Sequence, residues 1–234
     1  MGGCRARPRR RRGRRRGPGR RAGTGVLMST PPFEDLLERA RAMTTGPRRI
    51  LGLVGAPGSG KSTLAARLAG ALGPRRCVVV PMDGYHYADV VLEALGRRDR
   101  KGASDTFDVG GYVSLLRRLR SGEEAVVHAP EFRREIEEPV GSALPVPREV
   151  PLVLTEGNYL LLREGPWAAL EGLIDETWYL EPPEELRLER LVARHVAFGK
   201  DPAAARAWAL GSDAANARVI AATRERADLV VTPS

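Results

Sequence analysis

The feature that most constrains this chain is a glycine-rich octapeptide, Gly55-Ala56-Pro57-Gly58-Ser59-Gly60-Lys61-Ser62, set between an apolar run and an Ala/Leu-rich stretch. The run Ile50 to Val54 reads as a buried strand, and KSTLAARLAGALG reads as a helix closed by Gly73 and Pro74. A G-x-x-x-x-G-K-[ST] loop at a strand-to-helix junction wraps backbone N–H groups around phosphate oxygens and aims a helix N-terminus at the same charge. Gly55, Ala56, Pro57, Gly58, Ser59, Gly60, Lys61, Ser62 and Thr63 are therefore the expected nucleotide-binding residues. Lys61 should bridge the β- and γ-phosphates, and the Ser62 hydroxyl should be a ligand of Mg2+.

The segments around this loop set the fold class. CVVVPMDG, VPLVLTEGNYLLL, ETWYLEP and DLVVTP read as further strands, and AVVHAPEF as a short one. FEDLLERARAM, YVSLLRRLRSG, EELRLERLVARHVAFG, PAAARAWALG and SDAANARVIAATRERA read as helices. Residues 133 to 150, rich in Glu and Pro, read as a loop or hairpin near the substrate side. Apolar strands separated by helices imply βαβ units and an α/β, three-layer αβα fold with a mostly parallel central sheet. The three tryptophans, Trp167, Trp178 and Trp208, read as packing residues rather than base-stacking platforms.

Two acidic residues fall where such a sheet concentrates chemistry. Asp83, at the end of CVVVPMDG, would lie at the carboxyl edge of the strands beside the phosphates. There it can take the proton of a hydroxyl attacking the γ-phosphate, or simply cap the next helix. Glu156, at the end of PLVLTEG, can hold the magnesium shell or stand as a solvated strand end. Tyr85 and His86, next to Asp83, can hydrogen-bond an acceptor substrate or pack the loop.

Charge is distributed unevenly. The formal charge is +9, but residues 1 to 27 carry 11 arginines and no acid, leaving 27 basic against 29 acidic residues. Like charges broken by Gly and Pro do not fold alone, so residues 1–27 are expected to be a disordered Arg-rich tail ahead of one domain at 28–234. The tail is either a basic arm for nucleic acid or anionic lipid, or translated sequence upstream of a natural start at Met28, which is the expectation adopted. No nucleic-acid partner is expected for the folded domain. Cys4 and Cys77 form neither a metal cluster nor a convincing disulfide, no run approaches the ~20 apolar residues of a membrane span, and a cytoplasmic protein is expected.

With these residues in hand, the chain resembles the phosphoribulokinase, uridine kinase and pantothenate kinase family of P-loop kinases over residues 48 to 232. GAPGSGKST, MDGYHY, RKGASDTFD (Arg100 to Asp108) and TEGNYLLL carry the resemblance, with Ser104 where the third motif usually has proline. The resemblance implies a helical lid around 187–212, whose Arg190 and Arg194 close over the phosphates and join Lys61 and Asp83 in catalysis. It also implies acceptor contacts from Arg100, Lys101, Asp108, His128, Arg133, Asn158 and Tyr159. The implied activity is transfer of the γ-phosphoryl of ATP, with Mg2+, to a hydroxyl of a nucleoside, pantothenate or sugar. The family is often dimeric, so a homodimer is a candidate assembly. A regulatory P-loop NTPase lacking an acceptor, and a nucleic-acid-binding protein led by the tail, are the competing readings. No N-K-x-D guanine-reading motif is present to support the first.

Overall fold

The computed structural model describes residues 31–233. The Arg-rich tail, the Met28 start and Cys4 lie outside the described residues.

The central strand β1 (Arg49–Val54) is buried at every position after Arg49. Ile50 and Val54 point into one core, while Leu51 and Leu53 point into another. This two-residue alternation makes the sheet the middle of three layers, as expected of a strand apolar on both faces. On one face lie α1 (Phe33–Ala42) and α2 (Lys61–Leu72), which bury Leu36, Leu64 and Leu68. On the other lies α4 (Val109–Ser121), capped by Asp108, with Tyr112, Leu116 and Leu119 buried. The short helix α3 (Asp89–Ala94), unexpected from the sequence, precedes it. Each fully buried leucine contributes about 1.5–3 kcal/mol, so the two faces share the work of holding the sheet.

The other strands of this sheet are β2 (Cys77–Pro81), β5 (Leu152–Gly157), β6 (Glu176–Leu180) and β7 (Leu229–Val231). All pairings are parallel, in the order β2-β5-β1-β6-β7. Although β1 and β2 are successive in the chain, β5 lies between them. That insertion positions the site. Val54 pairs with Gly157, and Pro81 pairs with Glu156, so the loops leaving β1 and β2 emerge on either side of the tip of β5.

A separate antiparallel hairpin, β3 (Val126–Arg133) and β4 (Glu138–Pro147), occupies most of the stretch read as a loop or hairpin. The chain closes with α5 (Glu184–Ala197), α6 (Pro202–Leu210) and α7 (Ser212–Ala221). The last expected helix stops at Ala221, before a single 3-10 turn at Arg224–Arg226.

Candidate active site

The glycine-rich loop joins β1 to α2 as expected. Gly58 has φ 83°, and a Cβ there would lie 2.6 Å from the carbonyl oxygen of Arg187, so α5 packs directly on the loop and excludes any side chain. The Lys61 ammonium donates to the carbonyls of Gly55 at 2.8 Å and Ala56 at 3.1 Å. Burial pushes Lys61 down to about 8, against the opposing pull of Glu156 and Asp83. The Ser62 hydroxyl donates to Glu156 Oε1 at 2.9 Å. Burial raises the Glu156 carboxyl, and the nearby charge of Asp83 raises it further.

Asp83 lies in a 3-10 turn, Met82–Tyr85, immediately after β2. A Cβ on Gly84 would lie 2.4 Å from the carbonyl oxygen of Pro130, so the glycine is there for close approach to the hairpin. Arg134 Nη2 donates to Asp83 Oδ2 at 3.0 Å. Burial alone would raise the Asp83 carboxyl, but His86, Arg134, Lys61 and Arg194 together hold it below the usual carboxylate range. His86 Nδ1 donates to the Asp83 carbonyl at 2.8 Å, which leaves Nε2 as an acceptor in the neutral ring. Burial lowers its pKa, and the ring stands between Phe107 and Phe132, at 4.1 and 4.9 Å between centroids.

A cavity of about 240 Å³ opens here, lined by Lys61, Ser62, Asp83, His86, Glu156 and Arg194 among others. Pro57, Lys101 and Asn158 also reach it, as do Trp208, read as a packing residue, and residues the sequence reading missed, among them Arg98, Arg134, His195, Lys200, Asp213 and Asn216. Arg190 is elsewhere. It lines a second cavity of about 410 Å³, on the far side of Gly60, with Thr63, Phe33, Leu36, Arg67 and Val231.

Several expected acceptor contacts do not line the first cavity. Arg100 is exposed and paired with Asp105 at 2.7 Å. Asp108 accepts from the Gly111 N–H at 2.8 Å as the cap of α4. Tyr85 packs on Tyr112, and the Tyr159 hydroxyl donates to the Gly102 carbonyl at 2.7 Å. That bond, with Trp167 Nε1 donating to the Ser104 carbonyl at 2.9 Å, pins the RKGASDTFD loop without the motif's usual proline.

His128 and Arg133 are exposed on β3, and Arg133 pairs with Glu131 at 3.5 Å. The ladder is irregular between Ala129 and Glu131, where β3 advances two residues while β4 advances four, from Leu144 to Val140. Phe132 and Arg134 line the cavity, whereas His128 and Arg133 do not. The charged partner of the site is therefore Arg134, one residue beyond the expected Arg133.

The helix arginines separate similarly. Arg187 is 4% exposed, its guanidinium gripped by both Glu184 oxygens at 2.6 and 2.7 Å while Nη1 donates to the Pro57 carbonyl at 2.9 Å. Its i, i+3 and i+7 relation to Arg190 and Arg194 was visible in the sequence, but its bond to the loop was not.

No family model matches the chain. It is 36% identical over 179 residues to a Schizosaccharomyces pombe protein bearing a provisional uridine kinase name, covering 71% of this chain and 75% of that protein. The chain is a P-loop kinase of the uridine kinase and pantothenate kinase family. Other relatives agree: the kinase is 25% identical over 168 residues to a pantothenate kinase of Enterococcus faecalis, covering 70% of this chain and 49% of that one. It superposes with TM-score 0.77 and 38% identity on a Silicibacter sp. TM1040 structure described, provisionally, as a fructose transport system kinase, covering 86% of this chain and 98% of that chain. The kinase is thus a phosphotransferase with a hydroxyl acceptor on a small metabolite.

P-loop kinases use ATP, typically with Mg2+, and this kinase's residues fit both. The buried Ser59 hydroxyl in the loop has no protein partner among the described residues. Ser62 and Glu156 offer the hard oxygen donors that Mg2+ takes. Among the described residues no helix is long and apolar enough to cross a membrane.

Proposed function

We propose that this kinase transfers the γ-phosphoryl group of ATP to a hydroxyl of a nucleoside, pantothenate or sugar-class metabolite, with Asp83 as general base. The observation that carries this reading is the pairing of Pro81 with Glu156, which sets Asp83 and the Ser62–Glu156 pair around one cavity beside Lys61. An ionised Asp83 takes the proton as the acceptor oxygen bonds to the γ-phosphorus and the bond to the β,γ-bridging oxygen breaks. Lys61 and Arg194 offset charge on the phosphoryl oxygens. Ser62 and Glu156 would hold Mg2+, which would withdraw charge from the phosphates.

Arg190 acts at the nucleotide rather than at the acceptor: the cavity it shares with Thr63, Phe33 and Arg67 is a mixed apolar and cationic seat beside the loop, suited to the base of ATP. The helices α5 and α6 form the lid, which carries Arg194 and Lys200 to the cavity.

The test is ADP release by the purified full chain with ATP and Mg2+ against pantothenate, nucleosides and sugars, beside a control lacking acceptor. Stimulation by one acceptor is the expected result. Equal release with and without every acceptor would instead mark a nucleotide hydrolase.

A further inference from the structure

The far end of α5 is tied down by a contact that the proposed transfer leaves unused. His195 Nε2 lies 2.8 Å from Asp213 Oδ2, the ring N–H donating to the carboxylate. The two side chains are 16% and 11% exposed. Asp213 stands in the first turn of α7, and Ile220, two turns further on, is buried in the same core as Ile50 and Val54 of β1. The acid is therefore fixed to the body of the domain, and the histidine ties α5 to it.

The helix is held near its start as well. Arg187 donates to the Pro57 carbonyl, and a Cβ on Gly58 would lie 3.2 Å from that of Leu191. Arg187, Leu191 and Arg194 follow at intervals of four and three, so they share one helix face, the face laid on the phosphate-binding loop. Arg194 and His195, at the end of this run, both line the cavity. Burial and the like charge of Arg134 lower the Arg194 pKa, against the pull of Asp83, Asp213 and Glu156, so its guanidinium stands within reach of the carboxylates of the site. A side chain this long is aimed only as well as its backbone is held, and a misplacement of about 1 Å can cost roughly 10²-fold in rate.

Cohesion alone gives no reason for a histidine and an acid here. A buried polar pair can often be exchanged for apolar residues of similar volume at little cost in stability. What the hydrogen bond adds is direction, because it fixes one ring nitrogen against one oxygen and so sets the rotation of the last turn of α5. Arg194 is the residue immediately before that histidine.

We infer that Asp213, acting through His195, is a positioning residue for Arg194: the bond sets the end of α5 so that the guanidinium meets the γ-phosphoryl group. This deepens the kinase reading and rests on it.

The experiment is calorimetric titration of the full-chain protein, in the presence of Mg2+, with ADP and with the β,γ-imido analogue of ATP. The two probes differ by the group that Arg194 meets. Asp213→Leu should weaken the analogue roughly tenfold, the loss expected for one hydrogen bond to a charged group, and leave ADP affinity within about threefold. The sign is diagnostic. Asp213 is itself an acid lining the cavity, so if it acted only by its own charge its removal would tighten binding of the more anionic analogue. Asp213→Asn keeps an acceptor for His195 and should bind the analogue at least as tightly as the unaltered protein. In an Arg194→Met background Asp213→Leu should have no further effect, because residues that act through one another are non-additive. Unchanged or tighter analogue binding in Asp213→Leu, equal losses for ADP and analogue, or a full effect in the Arg194→Met background would overturn the assignment. If Asp213→Leu folds poorly, His195→Phe breaks the same bond from α5, and the same outcomes decide. Failure of the unaltered protein to bind either nucleotide would count against the kinase reading instead.

Discussion

Arg187 Nη1 donates to the carbonyl of Pro57 at 2.9 Å, tying the helix that begins the lid to the middle of the phosphate-binding loop. Side chain and backbone act together, because the Arg187 carbonyl also closes the space above Gly58. The contact holds the first turn of α5 against the loop.

Arg187→Met should leave the Pro57 carbonyl without its partner and free the loop from α5. The expected cost is about 1–3 kcal/mol of stability, with a raised KM for ATP and a smaller change in kcat at saturating nucleotide. Chemical denaturation and steady-state kinetics on the same variant measure both. An unchanged KM for ATP would show that the loop holds its shape without the arginine.

Asp83→Asn should lower kcat by roughly 10²–10⁴-fold, the usual contribution of a positioned general base, while ATP binds as before. The Asp83 carboxyl is held low, so the acidic limb of the rate profile should lie below the ordinary carboxylate value of about 3.9. Its stabilising contribution is likewise present above the unfolded pKa and lost as pH falls through the lower folded value. Arg134→Met removes one of the charges that depress it, so the acidic limb should move to higher pH. A limb that stays put in Arg134→Met would mean the ion pair does not set the ionisation of Asp83.

Lys61 offers a second pH test. Its pKa of about 8 is depressed by burial, so between pH 8 and the ordinary lysine value of 10.5 the folded protein releases a proton that the unfolded chain retains. The unfolded state then binds more protons, and this group's contribution to stability rises with pH across that window. Phosphate oxygens beside Lys61 favour the charged form, so nucleotide binding near pH 8.5 should take up a proton. Calorimetry in two buffers of different ionisation enthalpy reads that proton directly. No buffer dependence would place the lysine's titration outside the window.

Gly84→Ala probes how Asp83 is aimed. The added methyl would meet the Pro130 carbonyl at 2.4 Å, and backbone cannot yield as a flexible side chain does. The turn carrying Asp83 must move away from the hairpin, so kcat should fall at least tenfold with an effect on ATP affinity several times smaller. Circular dichroism and ATP titration separate this displacement from unfolding. Near-normal kcat would show that the hairpin does not position the base.

What the sequence determined by itself was chemistry carried by consecutive residues. The octapeptide Gly55 to Ser62, the buried strand before it and the helix after it, and the acidic strand ends at Asp83 and Glu156 depend on local backbone geometry and apolar patterning, and each is readable within a dozen positions. Tertiary structure decided which distant residues meet them. Insertion of β5 between β1 and β2 brought Glu156 to Ser62, and the packing of the hairpin against the turn after β2 brought Arg134 rather than Arg133 or His128 to Asp83. The helical spacing of Arg187, Arg190 and Arg194 was legible, but packing against the loop gave each a different neighbour. Asp213 and Asn216 left no local signal, because an acid and an amide on a surface-like helix acquire meaning only when the chain folds them against a cavity. Strand order and register are set by cooperative burial over the whole sheet, and no short window of sequence contains that information.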